Sequence, residues 1–173
     1  MRCAVLLACL LLASSCGAPS RSPATPGGLV VSYYEPPRGP GPHGPHTVKP
    51  TTVSSAQNAR IVEALALKQA AMVAHGFGLD PRRRIAVWVF ARSAVLGVPC
   101  GAPNGGGCYT SGRAPRIWLN AGPKDVLPHL CHELLHAYLE RTPVGVDPTH
   151  SDPRWQIATA LDDQIDGALK LAR

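Results

Sequence analysis

His132, Glu133 and His136 stand as H-E-x-x-H inside the run LPHLCHELLHAYLE, residues 127–140. On a helix a spacing of four residues is close to one turn. Both imidazoles then leave the same face from points about 6 Å apart. Two such nitrogens can converge on one Zn2+ at roughly 2 Å each. Glu133 is adjacent to the first histidine. From there its carboxylate can reach a water molecule at the ion, take its proton and later hand that proton to a leaving amine. With seven histidines in 173 residues, chance placement gives this pattern in under about one chain in a hundred. The leucines and alanines around it (Leu130, Leu134, Leu135, Ala137, Leu139) allow the helix to be buried, as a rigid metal-bearing element should be.

A catalytic zinc takes a third protein ligand and keeps one position open. The segment DPTHSDPRW, residues 147–155, offers three candidates. His150 precedes a new helix and is the preferred donor. Asp152 also reads as the N-cap of that helix, and Asp147 as a turn residue before Pro148; both remain alternatives. Glu140 lies one turn beyond His136, too far along a straight helix to complete the set. His129, one turn before His132, is a candidate for an outer hydrogen-bonding role. Tyr138 and Tyr109 are candidate donors to a tetrahedral oxyanion, which such chemistry requires.

Several elements must position these groups. LVVSYY (29–34) has strand composition, ahead of a Pro/Gly-rich stretch, EPPRGPGPHGPHTVKP, that forbids a regular element. Its His43 and His46 read as solvated loop residues. Ser54 or Ser55 can cap a first helix in which Ile61, Leu65, Lys68 and Met72 recur at helical spacing, with His75 in its last turn and Gly76 ending it. RIAVWVFA (84–91) and PRIWLNA (115–121) read as strands, separated by a long loop or irregular hairpin. The H-E-x-x-H helix is expected from about Lys124 to Arg141, or from nearer Leu127 because Pro128 suits only a first turn. A last helix follows Asp152-Pro153, with Trp155, Ala158, Leu161, Ile165 and Ala168 on its apolar face. No internal repeat is present. The implied fold class is α+β: a short sheet packed on the H-E-x-x-H helix, with helices before and after.

The first residues, MRCAVLLACLLLASSC, hold an apolar run too short for a permanent membrane span. They read as a signal peptide, residues 1–15. The ending ASSC resembles the lipobox of bacterial lipoproteins. The resemblance implies lipidation of Cys16, and Gly17 after it implies the outer membrane. Residues 16–50 then form a lipidated tether with a possible strand at 29–34, and residues 51–173 the globular domain. Cys100 and Cys108 bracket GAPNGGG, and an oxidising compartment predicts a disulfide between them. Cys131, among leucines, reads as a small core residue. The formal charge of +6 is scattered apart from Arg82, Arg83 and Arg84, which read as a solvated turn. With no basic stripe interleaved with aromatics, nucleic acid is not an expected partner.

The core helix resembles those of zincin metallopeptidases, and HSDPRW, residues 150–155, resembles the third-ligand segment of SprT-like and WLM-type small zinc peptidases. The longer metzincin motif is absent, since Leu139 and Thr142 stand at its glycine and third histidine. The resemblance implies a zincin-like minimal domain with one Zn2+ held by His132, His136 and His150. It also implies Glu133 as general base and Trp155 as a packing aromatic. A peptide or protein substrate would pair with the strand before the metal helix, Arg116 to Asn120, through backbone hydrogen bonds. The expected activity is peptide-bond hydrolysis at the bacterial envelope. The alternative is a non-catalytic zinc-binding envelope lipoprotein.

Overall fold

The computed structural model describes residues 28–35, 49–90, 106–122 and 124–172. The signal segment, Cys16, His43, His46 and Cys100 lie outside them. The elements are β1 (Leu29–Tyr34), α1 (Ser55–Ala74), β2 (Ile85–Phe90), β3 (Gly107–Thr110), β4 (Arg116–Asn120), α2 (Leu130–Leu139) and α3 (Arg154–Leu171). The fold is α+β, with a mixed sheet of order β1-β2-β4-β3. β1, β2 and β4 run parallel, and β3 is antiparallel to β4. Parallel neighbours need a crossover, and α1 supplies it between β1 and β2. The strand at 29–34 is thus part of the sheet: every residue of β1 pairs with β2, from Leu29 opposite Ile85 to Tyr34 opposite Phe90.

Alternation along the strands decides where the helices sit. Leu29, Val31 and Tyr33, Ile85, Val87 and Val89, and Ile117 and Leu119 share one core with residues of all three helices. The opposite side of the sheet carries a separate cluster of Phe90 and Trp118 with Tyr34, Trp88 and Cys108. The helices therefore cover one face. α2 packs on β3, β4, α1 and α3, at the centre of that layer.

Local chemistry explains most element ends. The Ser54 hydroxyl accepts the Gln57 N–H at 3.1 Å and starts α1. Gly76, with φ of 83°, takes the left-handed turn that ends it. The start of α2 differs from the sequence expectation. Asp125, Leu127 and His129 adopt φ of 56°, 52° and 65°, so the helix begins only at Leu130. These conformations cost L-residues about 1–2 kcal/mol each, and tertiary anchors hold them. Arg60 and Gln57 grip the Asp125 carboxylate at 2.9 and 3.0 Å, and Leu127 is fully buried. α3 begins at Arg154 with Pro153 at the N-cap position and no side-chain cap, one residue later than expected; Asp152, just before, accepts the Arg154 N–H at 3.0 Å. Leu169, rather than Ala168, completes the buried face of α3, and Asp162 and Asp166 are buried on it too.

The segment expected to be loop or irregular hairpin contains β3. A second correction concerns the strand before the metal helix. β4 is flanked by β2 and β3, so it has no free edge for another chain. Among the described residues, the open edge on this side of the sheet belongs to β3.

Candidate metal centre

α2 sets His132 and His136 one turn apart, with ring centroids at 5.1 Å. The turn of residues 147–152 brings His150 up to both, at 4.8 Å from His132 and 5.1 Å from His136. One ligand nitrogen from each of the three lies within 4.8 Å of the others. They are close enough to hold a metal ion. Neither Asp147 nor Asp152 belongs to this group.

One pair of these nitrogens has the separation that two ligands of a single ion take. Two nitrogens bound at roughly 2.0–2.1 Å to one tetrahedral zinc stand about 3.3 Å apart. His136 Nε2 and His150 Nε2 stand 3.2 Å apart. The tautomer fits as well. The Val146 carbonyl can only accept, so His136 Nδ1, 2.8 Å away, carries its proton and donates it there. His136 Nε2 then presents its lone pair to the cluster, the orientation that outer hydrogen bonds give metal-binding histidines. Burial and the neighbouring imidazoles of His136 and His150 push His132 down to about 4. Burial also lowers His136. Neutral imidazoles are what a metal requires.

Trp155 forms the floor of the centre. Its ring lies 4.7, 4.4 and 4.5 Å from those of His132, His136 and His150. Its indole N–H donates to Asp147 Oδ2 at 2.7 Å. The same carboxylate accepts the Asp152 N–H at 2.9 Å and the hydroxyls of Thr149 and Ser151 at 3.0 and 3.1 Å. These donors, led by the indole, hold Asp147 well below the usual carboxylate range. Asp147 is thus the hub of the turn that carries His150. That turn needs a hub, because Asp147 and His150 both have left-handed backbones, with φ of 46° and 53°.

Glu133 is 3% exposed, and its Oε2 has no hydrogen-bond partner among the described residues. Burial, reinforced by the charge of Asp162, pushes its carboxyl up to about 8. A buried carboxyl oxygen without a partner is costly. β3 passes close by. A Cβ on Gly107 would lie 3.2 Å from Glu133 Oε1 and 3.0 Å from the Trp118 carbonyl, so only glycine allows this approach.

Tyr109 stacks its ring on His136, 6.4 Å away and 9° from parallel. Its hydroxyl donates to Glu140 Oε2 at 2.7 Å and accepts from Arg83 Nη2 at 3.2 Å. Glu140 also accepts the Gly112 N–H at 3.1 Å, which ties the end of β3 to α2. Tyr138 packs against Phe77 at 5.5 Å and beneath the Arg154 guanidinium at 5.7 Å. His129 is the exposed residue before α2, its ring against Gly106 of the β3 approach. Cys131 is a free, buried thiol. Cys108 lies on β3; its expected partner Cys100 is outside the described residues.

Sequence reasoning passed over two sets of residues that build this site. One is the Asp147 hub. The other is a buried cluster of Lys68, Asp162 and Asp166. A lysine on the apolar stripe of α1 and an i, i+4 aspartate pair on the apolar stripe of α3 were the available signal, because buried charges need partners.

No protein-family model matches this chain, no curated protein matches it, and no solved structure matches it. Its own geometry defines it as an α+β protein with a three-histidine group able to hold a metal ion.

Proposed function

We propose that this protein is a zinc-dependent hydrolase of zincin-like build, and within that class a peptidase. The observation that carries the reading is the three-histidine group, with Glu133 next in the chain to His132, buried and with its Oε2 unpaired among the described residues. A zinc ion held by the three histidines would polarise a scissile carbonyl and acidify water. Glu133 takes a proton from that water and delivers it to the leaving amine. A carboxyl whose proton affinity is raised by burial is suited to both tasks. Trp155 excludes solvent beneath the imidazoles, and Tyr109 fixes His136 from the side of β3.

Among the described residues β3 is an edge strand, which favours an extended peptide as substrate. It runs past Glu133, and its backbone can pair with another chain. The reading extends to the rest of the chain: a bacterial envelope lipoprotein anchored through lipid on Cys16, with a Cys100–Cys108 disulfide. No helix of the described residues is long and apolar enough to cross a membrane.

The test is cleavage of a diverse peptide library by zinc-loaded wild type and Glu133→Gln, read by mass spectrometry alongside zinc content. Wild type should cleave, and the Gln variant should keep its zinc and lose cleavage. A zinc-loaded wild type that cleaves nothing would instead leave a non-catalytic zinc protein.

A further inference from the structure

α2 begins without a cap of its own. His129, the residue before it, has φ of 65° and makes no side-chain hydrogen bond to the first turn. The free N–H groups of that turn still need acceptors, since they are buried. Another helix supplies them. Asp162 of α3 accepts the Cys131 N–H on Oδ1 and the His132 N–H on Oδ2, each at 3.1 Å. Lys68 of α1 holds Asp162 there. Its ammonium lies 2.6 Å from Asp162 Oδ1, 2.5 Å from Asp166 Oδ1 and 2.9 Å from the Leu127 carbonyl oxygen. The ammonium donates to Asp162 Oδ1 and the Leu127 carbonyl and pairs with the charge of Asp166. Lys68 is fully buried.

We infer that Asp162 is a positioning residue for the metal-ligating His132, and that Lys68 fixes Asp162 for that task. The inference rests on the metal-binding part of the proposed function, not on hydrolysis. One carboxylate would neutralise Lys68. The second oxygen of Asp162 accepts the amide of His132, and neutralisation gives no reason for that bond. Nor does stability explain the cluster, because well-packed apolar side chains commonly do as well as buried ion pairs. They cannot supply two acceptors to consecutive amides. α3 also carries Trp155, seven residues before Asp162, against all three imidazoles. One helix thus sets the centre twice, through the rings and through the backbone of a ligand.

The test uses Co2+ as probe, with affinity from competition titration and geometry from the visible d–d spectrum. Wild type, Asp162→Asn and Leu169→Ala are compared. Asparagine has one acceptor oxygen, so it cannot cap both amides and also face Lys68. Asp162→Asn should weaken Co2+ binding about 10- to 100-fold, as loss of outer hydrogen bonds does, and alter the spectrum. Leu169→Ala, a cavity on the same helix, should lower the melting temperature and leave affinity and spectrum unchanged. Wild-type binding and spectrum in Asp162→Asn would overturn the inference. Equal losses in Leu169→Ala would overturn it too, by making the effect one of general stability. A wild type that binds no Co2+ would remove the metal centre itself. Should Asp162→Asn not fold, amide exchange in metal-free wild type decides. Cys131 and His132 amides as slow as those of Leu134 and Leu135 support the cap. Exchange typical of an open helix end refutes it.

Discussion

Replacing Glu133 by glutamine in the metal-free protein should shift the stability difference from wild type in favour of the variant as pH rises. In the folded chain burial lifts this carboxyl from 4.5 to about 8. A folded value above the unfolded one means the unfolded chain releases the proton first. The contribution of Glu133 is therefore fully present below about 4.5 and lost as pH rises through about 8. A tenfold difference in proton affinity between the two states is worth about 1.4 kcal/mol. Integrated over that window, wild type loses about 4 kcal/mol relative to the glutamine variant between about pH 5 and pH 9. Glutamine keeps the shape of the side chain and does not titrate. Its buried amide adds a cost of about 1–3 kcal/mol that is constant with pH, so the pH dependence of the difference isolates the carboxyl. Urea unfolding of EDTA-treated wild type and Glu133→Gln at about pH 5, 7 and 9 measures it. A stability difference that stays flat across this range would show that Glu133 is not buried as a lone carboxyl, and its assignment as the proton carrier would fail with it.

Two glycines predict opposite signs. Gly107→Ala places a Cβ 2.8 Å from Leu119 Cδ2 and 3.0 Å from the Trp118 carbonyl. It should cost about 1–3 kcal/mol in thermal unfolding. Gly167→Ala meets nothing within 4 Å inside α3, and should stabilise by up to about 1 kcal/mol; equal effects of the two would contradict the packing described. Lys68→Met strands two buried carboxylates and should cost about 3–5 kcal/mol at neutral pH. Burial already raises Asp166 with Lys68 in place, so the deficit should shrink as pH falls and Asp166 protonates. A deficit constant from about pH 7 to pH 4 would argue against a buried charge cluster.

The three strands of strongest composition, all three helices and the H-E-x-x-H pair were legible in the sequence because each rests on local periodicity. The start of α2 was not. Three left-handed residues before it are held by Arg60, Gln57 and the burial of Leu127, all of which are tertiary. β3 escaped because GCYT is short and follows a glycine run, and its pairing with β4 is what makes it a strand. Expecting β4 to be an edge failed for the same reason, since strand order does not follow chain order here. At the site, the nearness of His150 to the H-E-x-x-H pair was legible in its place just ahead of the last helix. The Asp147 hub was not, because a turn aspartate and a hub aspartate look alike until Trp155 folds back onto it. Tyr109 was legible only as a candidate oxyanion donor, and the sequence did not place it. Its anchoring by Glu140 and Arg83 depends on a contact between strand and helix that no spacing encodes.

Whether His132, His136 and His150 hold one ion between them is decided by X-ray absorption of the zinc-loaded protein, together with metal content per chain. One zinc per chain is expected, with three imidazole nitrogens at about 2.0 Å. In His150→Ala the imidazole nitrogens should fall to two, with markedly weaker binding. A wild type that takes up no zinc, or a His150→Ala variant with unchanged coordination and affinity, would contradict a three-histidine centre.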